Sequence, residues 1–442
     1  MTTTIATAQT TRVLNILKHT LLSLSLISSF NLLAQTQVIH AGTLLPIAGK
    51  STLSKQTLII TDGKITEIKK GFISPSDIDK DAKLIDLSSS FVMAGLMDMH
   101  VHLQGELGPK NDSQSLRMSD SDALMQSVSN ARKTLMAGFT TVRDLGASAE
   151  QIFALRDGIA KGWVDGPRII ASGSSVSVTG GHGDVDGLSP DILAMRTSKT
   201  ICDGPFDCRR ATRHAIKYGA DVIKITSTGG VLSDTNTGTG QQMSDDELKE
   251  VVNAAHALGR KVASHAHAAE GINAALRAGV NSIEHGSYAN KESIKLFKKS
   301  GAYLVPTLLA GNTVVEMAKH SNFMSEAIKL KAIRVGSDMT ENFKKAYKAG
   351  VKIAYGTDSG VSHHGDNGKE GVLMAQAGMK NSDVLKSATV NAADLIGMSA
   401  SLGTLAPGKI ADIIAFDDNP LKDIKALLDV DFVMKGGKVI KN

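Results

Sequence analysis

Lys217-Tyr-Gly-Ala-Asp-Val-Ile-Lys-Ile225 reads as the end of an amphipathic helix, a glycine, and a strand that follows at once. The phrase recurs around Gly138, Gly259, Gly279, Gly301 and Gly350, each time running into a short β-rich segment. A glycine there suits the left-handed residue just past a helix C-terminus, and the Val/Ile runs suit strands buried on both faces. Adding Leu96–His102 and Pro167–Ser172 gives eight strand candidates. Ser244-Asp-Asp-Glu247 is a capping box opening one intervening helix. Alternating helices and strands call for a parallel sheet, and the interval from His100 to Asp358 matches the ~250 residues of a TIM barrel. The fold expected is therefore α/β, a (β/α)8 barrel over 94–404. An open doubly wound sheet is the alternative, but the Gly-rich dinucleotide turn it would carry after its first strand is absent.

The flanks read differently. Thr57-Leu-Ile-Ile-Thr-Asp-Gly-Lys-Ile-Thr-Glu-Ile68 is two strands around an Asp-Gly hairpin turn, and Lys409–Phe416 and Phe432–Ile440 are further short strands. Segments 35–93 and 405–442 are expected to pair into one small β domain beside the barrel. Residues 1–34 read as a secretory leader: Arg12 and Lys18 precede a short apolar run, Leu21 to Leu33, and Ala34 offers a cleavage site. A buried N-terminal helix is the alternative. No stretch reaches the ~20 apolar residues of a membrane span. An exported, periplasmic protein is expected, with Cys202 and Cys208 either joined in a local disulfide or left as two separate thiols. The net charge of +5, reduced to +3 without Arg12 and Lys18, and an aromatic content of 4% argue against nucleic acid as a partner. The remaining partner is a small-molecule substrate, with a homo-oligomer left open.

Of the 13 histidines, eight fall at or just beyond the C-terminal ends of expected strands, the face where barrel enzymes keep their chemistry. His100 and His102 share one strand face, close enough to hold one divalent ion. His265, His285 and Asp358 follow at later strand ends. Lys224 sits inside a Val/Ile strand, where its charge calls for a lowered pKa, a buried partner, or carbamylation into an anionic ligand. Arg143-Asp144 is expected to form a structural ion pair below the site.

Together His100-x-His102, Lys224, His265, His285 and Asp358 resemble the binuclear branch of the amidohydrolase superfamily. The similarity is to imidazolonepropionase-like, prolidase-type (Xaa-Pro) dipeptidases in phrases such as Ala94–His102, Thr179–Asp184, Ser264–His267, Ile283–Gly286 and Gly356–Gly360. The resemblance implies two divalent metal ions, with zinc, manganese or cobalt all suited to the donors. The first would be held by His100, His102 and Asp358, the second by His265 and His285, and a carboxylated Lys224 would bridge them. His267 rivals His265. It implies amide hydrolysis of dipeptides or N-acyl amino acids with a free carboxylate, by a metal-bridging hydroxide. Asp358 would be the general base and acid, His182 the residue that polarises or anchors the substrate, and His267 and His364 pocket residues. Cyclic amides or lactones are the competing substrates. A non-catalytic binding protein would be expected to lack a ligand, whereas all six positions are filled.

Overall fold

The computed structural model describes residues 36–109, 117–233, 238–320 and 324–442, and the expected leader lies outside them. The strands are β1 (Gln37–Leu45), β2 (Leu53–Thr61), β3 (Lys64–Lys70), β4 (Lys83–Ala94), β5 (Leu96–Val101), β6 (Phe139–Asp144), β7 (Arg168–Ala171) and β8 (Val222–Thr226). They continue as β9 (Lys261–Ala266), β10 (Ser282–His285), β11 (Tyr303–Val305), β12 (Lys352–Ile353), β13 (Ile413–Phe416), β14 (Phe432–Lys435) and β15 (Lys438–Lys441).

The strands β5 to β12, separated by helices, are all parallel to their neighbours, in a three-stranded sheet of order β5-β6-β7 and a five-stranded sheet of order β12-β11-β10-β9-β8. Every residue of β5, β6 and β8 is buried, so none of these strands alternates between a buried and an exposed face, even though β6 carries Thr140, Thr141, Arg143 and Asp144. Backbone bonds also join the two sheets at both margins. Met99 N donates to Tyr355 O and Asp358 N to His100 O, while Asp221 N donates to Ala171 O and Val176 N to Lys224 O. All six glycines of the recurring phrase have φ between 68° and 119°, the conformation that ends a helix at no Cβ penalty. The Ser244–Glu247 capping box forms as expected.

The chain ends meet in a seven-stranded sheet of order β15-β14-β13-β4-β1-β2-β3. Asp62 and Gly63, at φ 52° and 71°, make the tight turn between β2 and β3. This sheet has an apolar core of its own around Ile39, Leu58, Ile60, Ile413 and Phe432, separate from the large core under the parallel sheets. Cys202 and Cys208 are joined in a disulfide. No helix among the described residues is long and apolar enough to cross a membrane.

Candidate active site at the strand ends

His100 in β5 is fully buried and its Nδ1 lies 3.0 Å from Glu284 Oε2. His102, one residue beyond the strand, has its Nδ1 2.7 Å from Gly146 O. A carbonyl oxygen only accepts, so the neutral ring of His102 carries its proton on Nδ1. The carboxylate of Glu284 fixes the same tautomer in His100. Both rings thus turn an Nε2 lone pair inward, the two nitrogens 3.3 Å apart. Asp358 Oδ1 lies 3.1 Å from His102 Nε2 and 3.5 Å from His100 Nε2, yet this buried oxygen has no hydrogen-bond partner. Three electron-rich atoms converging in a buried space repel one another unless a cation lies among them. The donor set and the orphaned oxygen both fit a divalent metal ion.

Two groups of donor atoms lie within 4.8 Å of one another, His100 with His285 and Asp358, and His265 with His267 and His285. His285, at the end of β10, belongs to both. Its Nδ1 is 2.7 Å from Thr307 Oγ1, and His267 Nδ1 is 2.7 Å from Ser287 Oγ. His265 and its rival His267 therefore both face this cluster, their rings meeting edge-on. Asp358, His285 and Thr307 all have φ between 51° and 69°, the backbone strain that collects at functional sites.

Burial holds His100, His265 and His285 well below the usual imidazole pKa, with the Lys224 charge and neighbouring rings adding to it. Burial takes His182 to about 3 and His267 to about 4. These rings are neutral, as metal ligands must be. His102 is the exception: burial pulls it down, but Asp358 outweighs burial and raises it. Burial would raise Asp358, but His100 and His102 prevail and lower it. Burial lowers the Lys224 amine, opposed by Glu284 and Asp358.

These residues open on a cavity of about 340 Å³, lined by His100, His102, His182, Lys224, His265, His267, His285 and Asp358 on its polar side. His182 reaches it from the loop after β7, its Nδ1 2.6 Å from Ser233 Oγ. Gly230 is required beneath it, since a Cβ there would fall 2.1 Å from His182 Cε1. His364 does not line the cavity. Its Nε2 meets Gly105 O and its backbone N–H meets Glu106, so it packs on the 105–106 turn, while His363 lies exposed beside the same glutamate.

The ion pair expected between Arg143 and Asp144 does not form. Neighbours on a strand point to opposite faces, and Arg143 instead pairs with Glu284 at 2.9 Å while bonding Met99 O and Ser282 Oγ. Asp144 accepts from the backbone N–H groups of Leu103 and Gly146. Three carboxylates around the site escaped the sequence reading. Glu284 was visible as an acid inside a buried strand beside His285. Asp98 shares the face of His100 by alternation, accepts from Thr357 and Asn367, and is raised to about 6 by burial. Glu370 accepts from Leu308 N and Leu309 N, at the start of the Leu308–His320 helix, and nothing in sequence marks it.

A strand-end cluster of histidines, a carboxylate and a buried lysine around one cavity offers donors that could hold a metal ion. The chain belongs to the amidohydrolase family, whose profile matches residues 91–440. It is 34% identical over 435 residues to ochratoxinase from Aspergillus niger, covering 92% of this chain and 87% of that protein. Among solved structures it is similar to a Xaa-Pro dipeptidase with methionine bound in its active site, at 40% identity and a TM-score of 0.87 over 92% of this chain and all of that one. It is likewise similar to a prolidase complexed with N-methylphosphonate-L-proline, at 31% identity and a TM-score of 0.83 over the same shares.

Proposed function

We propose that this chain hydrolyses the amide bond of dipeptides or N-acyl amino acids that carry a free carboxylate, using two divalent metal ions. The observation that carries this reading is the pair of donor groups sharing His285, with a buried Asp358 oxygen left unpartnered between imidazole lone pairs. The similarity to a Xaa-Pro dipeptidase, a prolidase and ochratoxinase supports the substrate class. The backbone bonds joining the two parallel sheets at both margins support one closed (β/α)8 barrel over 94–404, with 35–93 and 405–442 forming the β domain.

In this proposal His100, His102 and Asp358 would hold one ion and His265 and His285 the other, with Lys224, once carboxylated, as a further ligand and zinc the ion we favour. His267, hydrogen-bonded to Ser287, faces the substrate. When bound, the ions would supply Lewis acidity that lowers the pKa of water to about 7 and polarises an amide carbonyl. Asp358, kept ionised by His100 and His102, accepts the proton of the attacking water and delivers it to the departing nitrogen. In the tautomer that carries its proton on Nε2, where Ser233 Oγ donates to Nδ1, the neutral His182 ring donates to the carbonyl oxygen as negative charge develops there. Glu284 and Arg143 lock His100 from below. The cavity is of a size for a compact ligand such as a dipeptide. We further propose, from the composition of residues 1–34, that the enzyme is exported to the periplasm.

The test is hydrolysis by zinc-loaded protein with bicarbonate present, followed as amino-acid release from dipeptides and N-acyl amino acids and as ring opening of cyclic amides and lactones. Turnover confined to linear amides with a free carboxylate is expected. Turnover confined to cyclic amides or lactones would overturn the substrate class.

A further inference from the structure

The cavity has two unlike sides. Among the described residues, every ionisable group lining it belongs to the polar cluster, and the opposite side is apolar. That side is built where the Leu308–His320 helix crosses the Glu326–Lys348 helix, with Val314 from the first and Val335 and Met339 from the second. Leu232 continues it toward the mouth. Val314, Val335 and Met339 are all buried in the described structure.

The crossing is tight because two glycines meet there. A Cβ on Gly336 would fall 2.3 Å from Val315 Cγ2 and 2.9 Å from Gly311 O, and one on Gly311 would fall 2.7 Å from Met339 Sδ. The two helices are therefore held in close backbone approach where they form the wall. A charged group placed against Val314, Val335 and Met339 would lose its water, whereas an apolar group would gain by leaving water.

We propose that this helix-crossing wall is a side-chain pocket that selects substrates carrying a hydrophobic residue, aliphatic or aromatic, beside the scissile amide, and rejects charged side chains. The proposal rests on the amide-hydrolase reading and narrows its substrate. Hydrogen bonds and metal chemistry on the polar side act on the amide, which all such substrates share. Discrimination between them falls to the wall.

The experiment pairs turnover with direct binding, on the full mature chain. N-acetyl-L-leucine, N-acetyl-L-methionine and N-acetyl-L-phenylalanine are compared with N-acetyl-L-glutamate and N-acetyl-L-lysine for kcat/KM, and the five free amino acids are titrated calorimetrically. The hydrophobic members should lead by at least ~tenfold in both measurements, from the cost of burying an unpaired charge. Val335→Thr, which keeps the shape of the wall, should raise KM for the hydrophobic substrates more than it lowers kcat, with metal content unchanged. Met339→Lys should narrow the gap between leucine and glutamate. Selective binding of the hydrophobic amino acids without turnover would leave the pocket standing and remove the hydrolase reading. Equal binding of charged and hydrophobic amino acids, binding of none, or equal turnover of both classes would overturn the pocket.

Discussion

Glu284→Gln probes the buried framework under the site while changing almost no volume. Glu284 is completely buried, accepts from Arg143 Nη2 at 2.9 Å and from Ser282 Oγ, and holds His100 Nδ1 at 3.0 Å. Removing its charge leaves the Arg143 guanidinium, itself fully buried, without its counter-ion. Breaking such a pair from one side costs about 3–5 kcal/mol. The amide can also present an N–H to His100 Nδ1, which favours the wrong tautomer and turns the Nε2 lone pair away from its task. Loss of an outer partner of this kind lowers metal affinity about 10–100-fold. The two effects separate in two assays: urea unfolding of chelated protein reads the ion pair, and competitive zinc titration of folded protein reads His100. A variant within about 0.5 kcal/mol of the parent in the first and within twofold in the second would refute the reasoning.

Glu370 is raised to about 8, first by burial, against the two backbone N–H groups of Leu309 and Leu308. A carboxyl raised in the folded state contributes stability that is full below its unfolded pKa of about 4.5 and is lost as pH rises through about 8. The stability of the parent relative to Glu370→Gln should therefore fall between these limits at about 1.4 kcal/mol per pH unit, and a pH-independent difference in denaturant midpoints would contradict it. Replacing Cys202 and Cys208 with alanine removes a short loop closure worth about 2 kcal/mol. Because Cys202 N bonds Ser177 O and Asp203 holds Thr179, it should also loosen the loop bearing His182. KM should rise at unchanged metal content, and unchanged thermal stability and KM would argue against the strap. Gly230→Ala should displace the His182 ring and lower kcat nearly as far as His182→Ala, by about 10²-fold or more. A full-rate Gly230→Ala enzyme would remove His182 from the reaction.

The elements that were legible in the sequence are those fixed by neighbours along the chain. Six glycines with positive φ end six helices because no other residue takes that conformation as readily, and each hands over to a strand in the same phrase. Asp62-Gly63 marks its hairpin for the same reason. His100 and His102 share a face by simple alternation, and Lys224 stands out because a cation in an apolar strand demands an explanation. What was hidden depends on contacts between distant segments. Arg143 pairs with Glu284 from the other parallel sheet rather than with the adjacent Asp144, because alternation sends those neighbours apart. Glu370 caps a helix 61 residues away in sequence. His364 reads as a pocket residue from its nearness to Asp358, but the chain reverses at Gly360, φ 117°, and carries it to the 105–106 turn. The apolar wall was equally invisible, since two helices with ordinary sequences become a pocket only by crossing at Gly311 and Gly336.

The central claim is that this cluster, loaded with metal, cleaves an amide beside a free carboxylate. The most direct measurement is a time course of acetate release from N-acetyl-L-leucine and from its amide derivative N-acetyl-L-leucinamide, using chelated protein and the same protein reloaded with zinc. Release by reloaded protein alone, and from the free acid alone, is the predicted result. Release by the chelated protein, or equal cleavage of the acid and its amide derivative, would contradict the account.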